Sequence, residues 1–264
     1  MNKQINIVET LDWYLWAGVT ETCSDLFCLA DVNKENKAPL NTENVVSVSQ
    51  PVAAPFSVSL SASVNIKNAK DLCQSAQSLD ELKDIISKFD GCVLKNTAAS
   101  TVFGDGNPSA RILLIGEAPG ADEDRLGRPF VGRCGKLLDK MFSAIHFQRS
   151  DCYITNVLPW RPPGNRAPTD DEIAVCLPFL IRQIEIIKPD FILLLGGISL
   201  KSVMNCADSI SRTRGKWLEY LLPDGKVINV LATYHPSYLL RSSSQKGKVW
   251  TDLLRLKKKI DEQK

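Results

Sequence analysis

Three stretches of the chain carry polar side chains suited to binding a small polar ligand. Glu117 and Glu123 lie in a glycine-rich loop, and Asn156 precedes a turn rich in arginine and proline. The third stretch has His235, one of two histidines in the chain. Carboxylates can activate water, an amide can donate and accept, and an imidazole can donate to a developing negative charge. This set suits a planar polar ligand attached to an anion, since arginines accompany it: Arg128, Arg161, Arg166 and Arg241.

Apolar runs with the character of buried strands come just before these stretches. The runs span residues 112–115, 153–158, 191–195 and 227–232. Helical patterns alternate with them, at residues 136–146, 170–187 and 198–205. This alternation predicts a three-layer α/β/α domain. In such a domain the ligand crevice lies beyond the carboxyl ends of the strands, so the polar stretches are expected to converge on one pocket.

Each candidate also has a purely structural interpretation. Taken singly, Phe130 would most often be a core aromatic, Asn156 a turn residue at a strand end, and the acidic side chains part of a solvated loop. A nucleotide-binding or dehydrogenase-like enzyme is a second functional class, because a glycine-rich loop follows the first strand. That loop has neither G-x-G-x-x-G nor G-x-x-x-x-G-K-[ST], and its acidic residues oppose phosphate binding.

Composition limits the partner class and the compartment. The 264 residues carry a net charge of +2 with a pI near 8.1, far from the basic excess of a non-specific nucleic-acid coat. Eight cysteines occur without a C-x-x-C pair, which favours reduced thiols in a cytoplasmic protein. The N-terminus lacks the features of a signal peptide, and no apolar stretch approaches the roughly 20 residues of a membrane span.

The N-terminal part differs in pattern from the rest. Residues 1–30 have apolar side chains at mixed helical spacing and predict an amphipathic helix, which could bind a protein partner or pack back on the core. Residues 31–66, rich in Asn, Ser, Val, Pro and Thr, predict a flexible linker. The compact domain is predicted over residues 67–264, so removal of residues 1–65 is expected to leave catalysis intact.

Four long motifs occur in order in the predicted domain: GEAPGADEDRLGRPFVG, YITN, RPPGNRAPTDDEIAVC and TYHPSYLLR. Together they resemble the motifs of family-4 uracil-DNA glycosylases, from about Phe89 to the C-terminus. The resemblance implies a four-stranded parallel sheet between helices. It also implies an enzyme that flips uracil out of DNA and hydrolyses its N-glycosidic bond, leaving an abasic site. We expect it to act as a monomer.

The resemblance implies a role for each pocket residue. Phe130 would stack on the base, Asn156 would read O4 and N3–H of uracil, and His235 would donate to O2 of the departing base. One carboxylate, Glu117 or Glu123, would position the attacking water, and position within the motif favours Glu123. The stretch lining the pocket would be Glu117, Ala118 and Pro119.

DNA contact is expected from residues 237–241 and from the arginines around the rim. Leu239 or Leu240 would act as a wedge in the DNA. The polar and charged contacts would be Ser237, Arg241, Arg128, Arg161 and Arg166.

The cysteines depart from the pattern of the family, whose members usually hold a [4Fe–4S] cluster on four cysteines. Cys92 and Cys176 match two of those positions, whereas Phe89 and Trp160 occupy the other two. Two thiolates cannot replace four ligands, so we predict no metal and no cofactor. A retained cluster is the alternative.

Other functions stay open. A non-catalytic DNA-binding module is disfavoured because Glu123, Asn156 and His235 are all present. A related branch traps DNA covalently through an extra histidine in a basic insertion near the second motif, and WRPPGNRAP has neither. The sequence leaves undecided whether hypoxanthine or xanthine is also removed, and whether single or double strands are preferred.

Overall fold

The computed structural model describes residues 46–47 and 59–263. The helix predicted within residues 1–30, and most of the linker predicted for residues 31–66, lie outside these ranges and stay predictions. None of the helices in the described part of the chain has the length and apolarity needed to cross a membrane.

A mixed sheet forms the centre of the described domain. Its strands within residues 59–263 are β2 (Asp105–Gly106), β3 (Ile112–Gly116), β4 (Cys152–Asn156), β5 (Phe191–Leu195), β6 (Trp217–Leu221) and β7 (Val227–Thr233). A two-residue strand, β1 (Val46–Ser47), precedes them in the chain. Within residues 59–263 the order is β6-β7-β5-β3-β4-β2, and the four middle strands run parallel. These four are the strands predicted from the apolar runs, and the α/β fold class is confirmed.

The two edge strands of this order were not predicted. β6 pairs antiparallel with β7, and β2 pairs antiparallel with β4. Side chains of β6 alternate between buried and partly exposed, as in an antiparallel strand with one face toward solvent, so β6 lacks the continuous apolar run of a strand buried on both faces. β2 has only two residues, too few for a recognisable pattern.

Helices cover both faces of the sheet. They are α1 (Leu60–Ser75), α2 (Leu79–Lys88), α3 (Ala121–Leu126), α4 (Arg133–Ser143), α5 (Asp170–Ile187), α6 (Gly197–Met204), α7 (Ile210–Thr213), α8 (Pro236–Arg241) and α9 (Lys246–Glu262). Short 3-10 turns occur at Val93–Asn96, Arg149–Asp151, Pro163–Asn165 and Ser243–Gln245. Every residue of β3 and β5 is buried, so helices pack on each side of these strands, as the three-layer prediction requires.

The predicted helices agree closely with three of these elements. The range 170–187 matches α5, and 198–205 is shifted by one residue from α6. α4 begins and ends earlier than the predicted 136–146. The earlier start was not predicted because the N-cap residue is Gly132, which has no side-chain oxygen to accept a hydrogen bond from the first turn of the helix.

The linker prediction is wrong for residues 60–66, which belong to α1. Ser59 caps this helix by accepting from the N–H of Ala62, and its own N–H and hydroxyl donate to Asp171 at 3.0 and 2.7 Å. α1 buries small side chains, among them Ala69 and Cys73, and packs along α5. Small residues produce little hydrophobic periodicity, which is why the sequence pattern did not indicate a helix.

Candidate active site

The carboxyl ends of the parallel strands bring the polar stretches to one edge of the sheet. Gly116 at the end of β3 is paired with Asn156 at the end of β4. One step further on, the backbone N–H of Leu158 donates to the carbonyl of Glu117 at 3.0 Å. β7 ends at Thr233, so His235 follows at the same edge. The predicted convergence of the three loops is therefore present.

A pocket of about 540 Å³ lies at this edge. The predicted residues that line it are Glu117, Ala118, Pro119, Glu123, Phe130, Asn156, Arg166, His235, Ser237 and Arg241. Arg128, Arg161 and Leu240 are not among its lining residues. Polar lining residues that the sequence analysis did not single out include Arg133, Cys134 and Asn165. Arg133 and Cys134 begin α4 directly after the glycine-rich loop, so their place after that loop was the signal that could have identified them.

Asn156 has an unpaired acceptor in the wall of this pocket. The residue is 5% exposed, and Oδ1 accepts no hydrogen bond from any described residue. A buried acceptor without a partner costs about 1–3 kcal/mol, which a ligand donor can recover. Gly116 leaves the space for this amide, because a Cβ there would overlap Oδ1 and lie 2.5 Å from Cζ of Phe130.

Phe130 forms an aromatic wall beside the histidine. Its ring centroid is 5.7 Å from that of His235, with the two planes tilted by 39°. Phe130 is 5% exposed and has a φ of 52°, in the left-handed region that side chains other than glycine rarely adopt. The wall therefore depends on an unfavourable backbone conformation.

His235 is held as a neutral hydrogen-bond donor. Nδ1 accepts from the backbone N–H of Ser237 at 3.1 Å and lies 2.8 Å from the hydroxyl of the same residue. Burial, and secondarily the positive charge of Arg241, lowers the pKa of His235 to about 4. With Nδ1 accepting, the proton of the neutral ring is on Nε2.

Glu123 uses its carboxylate to hold backbone. Oε2 accepts from the N–H of Gly120 at 3.1 Å, and Oε1 accepts from Val131 and Gly132 at 3.0 and 2.8 Å. The residue is 8% exposed. Of roughly four acceptor sites on a carboxylate, three are therefore occupied. Glu123 joins the start of α3 to the loop that follows Phe130.

The carboxylate of Glu117 accepts fewer hydrogen bonds than that of Glu123. It lines the pocket, and none of the described residues donates a hydrogen bond to its side chain. Burial raises the pKa of Glu117, while the positive charge of Arg241 opposes the rise. A carboxylate with free oxygens and a raised pKa is suited to accept a proton from water.

The family of the chain follows from comparison of its sequence with known proteins. Residues 103–254 match the model of the uracil DNA glycosylase superfamily. The chain belongs to this superfamily. It is 44% identical to the type-4 uracil-DNA glycosylase of Archaeoglobus fulgidus over 62% of this chain and 84% of that one. Similar values are found for the type-4 enzymes of Thermotoga maritima, at 44% over 62% and 86%, and Pyrobaculum aerophilum, at 39% over 66% and 91%. The recognition made from the motifs is confirmed.

In this glycosylase two of the rim arginines are already paired with carboxylates. Arg128 donates to both oxygens of Asp105, at 3.3 and 3.1 Å. Arg166 donates to both oxygens of Glu172, at 2.9 and 2.5 Å. Their charges are partly neutralised, so the predicted phosphate contacts of these two residues stay predictions.

The other predicted DNA contacts are Arg161 and residues 237–241, which belong to α8. Nε of Arg161 donates to Asn165 at 2.8 Å, which is a neutral partner. In α8, Leu239 is 1% exposed, whereas Leu240 is 42% exposed. Of the two leucines considered for the wedge, only Leu240 has a side chain that can reach DNA.

The residues at the cysteine positions do not fit a four-iron cluster. Sγ of Cys176 donates to Sγ of Cys92 at 3.7 Å, and this bond together with burial raises the pKa of Cys176. Phe89 and Trp160 are 3% and 1% exposed and belong to the same hydrophobic cluster as the two thiols. Within the described residues, no three His, Cys, Asp or Glu side chains form a metal-binding group. The cluster needs four ligands, and this site offers two.

Proposed function

We propose that the chain hydrolyses the N-glycosidic bond between uracil and deoxyribose in DNA and leaves an abasic site. The observation that carries the proposal is the unpaired Oδ1 of Asn156 in the wall of a pocket that can enclose a base. Uracil offers N3–H to this acceptor and O4 to the amide N–H. Cytosine has the opposite polarity at both atoms, so the same amide would reject it.

The proposed leaving-group step uses the tautomer of His235. Negative charge develops on uracil, notably at O2, as the glycosidic bond stretches, and Nε2–H can donate to it. Because the pKa of His235 is lowered to about 4, the ring acts as a neutral donor at neutral pH. Phe130 would hold the base by stacking against its face.

For the attacking water we propose Glu117, and a positioning role for Glu123. The motif favoured Glu123, but its oxygens already accept three backbone N–H groups. Removing Glu123 from these bonds would release the loop after Phe130. The oxygens of Glu117 accept no N–H group of the described backbone, so they can orient water while the charge stabilises the cation-like sugar.

Capture of the flipped nucleotide is proposed for α8 and its neighbourhood. Leu240 would fill the space left in the DNA, and Ser237 and Arg241 would contact phosphate beside it. Arg128, Arg161 and Arg166 are proposed as further contacts at the rim. Action as a monomer, a cytoplasmic location and a protein partner for residues 1–30 likewise stay predictions.

We further propose that the enzyme works without an iron–sulfur cluster. Phe89 and Trp160 contribute buried apolar volume where two ligands would be needed, and the Cys92–Cys176 pair is enclosed with them. Burial of large side chains stabilises by about 1.5–3 kcal/mol each, enough to hold the loop that carries Arg161. No step of the proposed reaction requires iron.

The function is tested by excision from oligonucleotides. Single strands and duplexes that contain uracil, hypoxanthine or xanthine are incubated with the protein and then cleaved at abasic sites with alkali, with thymine as the control. We expect cleavage at uracil, with Asn156→Asp lowering it and adding trace cleavage at cytosine. Absence of uracil-dependent cleavage would contradict the proposal, and a covalent protein–DNA product on a denaturing gel would favour the trapping mechanism instead.

A further inference from the structure

The turn that carries Phe130 is held from behind by the guanidinium of Arg149. Nη1 of Arg149 donates to the carbonyl of Phe130 at 2.9 Å, and Nη2 donates to the carbonyl of Pro129. Nη1 also donates to Asp139 of α4 at 3.2 Å. Arg149 lies in the 3-10 turn that leads into β4, the strand that ends at Asn156. One short segment therefore links the aromatic wall to the residue proposed to read the base.

Asp105 fixes the orientation of this guanidinium. Its Oδ2 accepts from Nε of Arg149 at 2.7 Å, and the same carboxylate holds Arg128, the residue before Pro129. Asp105 is in β2, which pairs with β4. Although burial opposes it, hydrogen bonds from Arg128 and Arg149 lower the pKa of Asp105, so the carboxylate stays ionised at neutral pH.

The backbone of Phe130 needs such support. Its φ of 52° is disfavoured for an aromatic residue, and nothing in its own side chain stabilises that conformation. On the other side, α4 comes so close that a Cβ on Gly135 would overlap the carbonyl of Phe130 and lie 2.9 Å from its Cα. The turn is therefore enclosed between Arg149 and the glycine of α4.

We infer that Arg149 is a positioning residue for base recognition, because it holds the Phe130 ring where a flipped uracil must stack. The inference rests on the proposed stacking role of Phe130. Without Arg149, the carbonyls of Pro129 and Phe130 lose their donors, and φ of Phe130 can return to the favoured negative region. The ring would then leave its place beside His235. A displacement of about 1 Å can cost on the order of 100-fold in rate.

The test separates base capture from DNA binding in the full-length chain. For Arg149→Met, single-turnover excision of uracil at saturating enzyme should fall by about 10–100-fold. Affinity for a duplex that contains a tetrahydrofuran abasic-site analogue should change by less than about 2-fold, because no base occupies the pocket in that complex. Arg149→Lys should recover part of the rate, since an ammonium can reach one carbonyl but cannot reproduce the planar fork.

Arg182 provides a matched control for the loss of a partly buried guanidinium. It donates twice to the carbonyl of Ala76, at 3.0 and 2.6 Å, and once to Glu185 at 2.8 Å. Its side chain is 23% exposed, against 21% for Arg149, and it joins α5 to the end of α1 rather than the pocket. Arg182→Met should lower the melting temperature by about as much as Arg149→Met does, and should leave the saturated excision rate within about 2-fold of the wild-type rate.

Two outcomes would overturn the inference in distinguishable ways. If Phe130→Ala slows excision while Arg149→Met slows it no more than Arg182→Met does, Arg149 does not position the ring. If Phe130→Ala itself leaves the rate unchanged, the stacking role falls and the inference falls with it. Should Arg149→Met fail to fold, Asp105→Asn replaces it. This variant keeps the shape of the side chain, and we expect the same loss of saturated excision rate. Because it also removes the charge that pairs with Arg128 at the rim, affinity for the abasic duplex should rise rather than fall.

Discussion

At the scale of single residues, recognition depends on a glycine that makes no side-chain contact. Gly116 ends β3 beside Asn156, and any Cβ there would overlap the amide and the Phe130 ring. Polar groups that read a base are useful only where the backbone leaves room for them. The same edge holds His235 and Glu117, so each candidate for the chemistry lies one or two residues beyond a strand.

Gly116→Ala should nearly abolish uracil excision, because the added methyl group displaces Asn156 or Phe130. The comparison is Gly197→Ala in α6, where the nearest atoms to the added Cβ are 4.0 Å away. We expect a loss of at least about 100-fold for the first variant and less than about 2-fold for the second. Single-turnover rates measure both, and equal rates would remove Gly116 from the recognition site.

His235→Ala should slow the chemical step by about 10²–10³-fold, the usual cost of losing one donor to a developing oxyanion. The other histidine, His146, lies in an exposed turn and is not among the residues that line the pocket, so it serves as the control. His146→Ala is expected to excise uracil at the wild-type rate. A His235→Ala rate close to that of the control would exclude the proposed leaving-group step.

The pH dependence of the saturated rate should report Glu117. Its pKa is raised above the ordinary 4.5 of a glutamate, so protonation removes the proposed base as the pH falls, with a midpoint above 4.5. We expect the acid limb from Glu117, whose pKa burial raises, and not from His235, whose pKa burial lowers to about 4. Glu117→Gln should lower the rate and remove the limb. A limb that persists in Glu117→Gln would assign it to another group.

At the scale of elements, pairs of secondary structures share the task of holding loops. Glu123 at the start of α3 binds the loop before α4, and Asp124 accepts from Ala99 and Ser100 at 2.9 and 3.1 Å. Two carboxylates of the acidic stretch after β3, Glu123 and Asp124, thus serve as acceptors for backbone N–H groups. Elsewhere in the fold, Cys176 of α5 and Cys92 before the first 3-10 turn hold their segments together by packing and one thiol contact.

Protein purified without oxygen should be colourless and contain no stoichiometric iron. The reason is that the buried site presents two thiols and two aromatic side chains instead of four ligands. Iron content, the visible spectrum and excision after chelator treatment measure this, and a chelator should not change the rate. Brown protein with about four irons per chain would contradict the proposal.

At the scale of the whole molecule, α1 is part of the catalytic domain. Ser59 caps this helix and binds Asp171, and Ala69 and Cys73 are buried against the domain. The cut after residue 65 that the sequence suggested would divide α1, so a truncation that keeps this helix and its cap removes no residue beyond 58.

A chain that lacks residues 1–58 should melt and excise uracil like the full-length protein. A chain that lacks residues 1–76 should lose α1 and expose the apolar face of α5. We expect it to lose at least about 3 kcal/mol of unfolding free energy. For a domain of this size, that corresponds to a fall of roughly 6–12 °C in Tm. Thermal denaturation of both chains gives the comparison, and an inactive but folded 59–264 chain would assign a catalytic role to residues 1–58.

The sequence by itself determined the parallel strands, the long helix of residues 170–187 and ten of the residues that line the pocket. These features are local: a strand buried on both faces must be a continuous apolar run, and the ends of parallel strands must meet at one edge. Asn156, Phe130 and His235 could be named in advance because each directly follows such a run or lies in a motif. The four motifs also determined the family before any contact was known.

Only the tertiary structure decided how individual charges are used. Glu123 and Glu117 lie in the same acidic loop of the sequence. In the fold, Glu123 accepts hydrogen bonds from the N–H groups of residues 131 and 132, whereas the side chain of Glu117 lines the pocket. Arg149 attracted no attention, because its partners at 105 and 129–130 are brought near it by strand pairing and helix packing. A hydrogen bond between residues distant in the chain leaves no pattern in composition or spacing. Its presence depends on the free energy of the whole fold, so the sequence showed which residues could do chemistry and the fold decided which are free to do it.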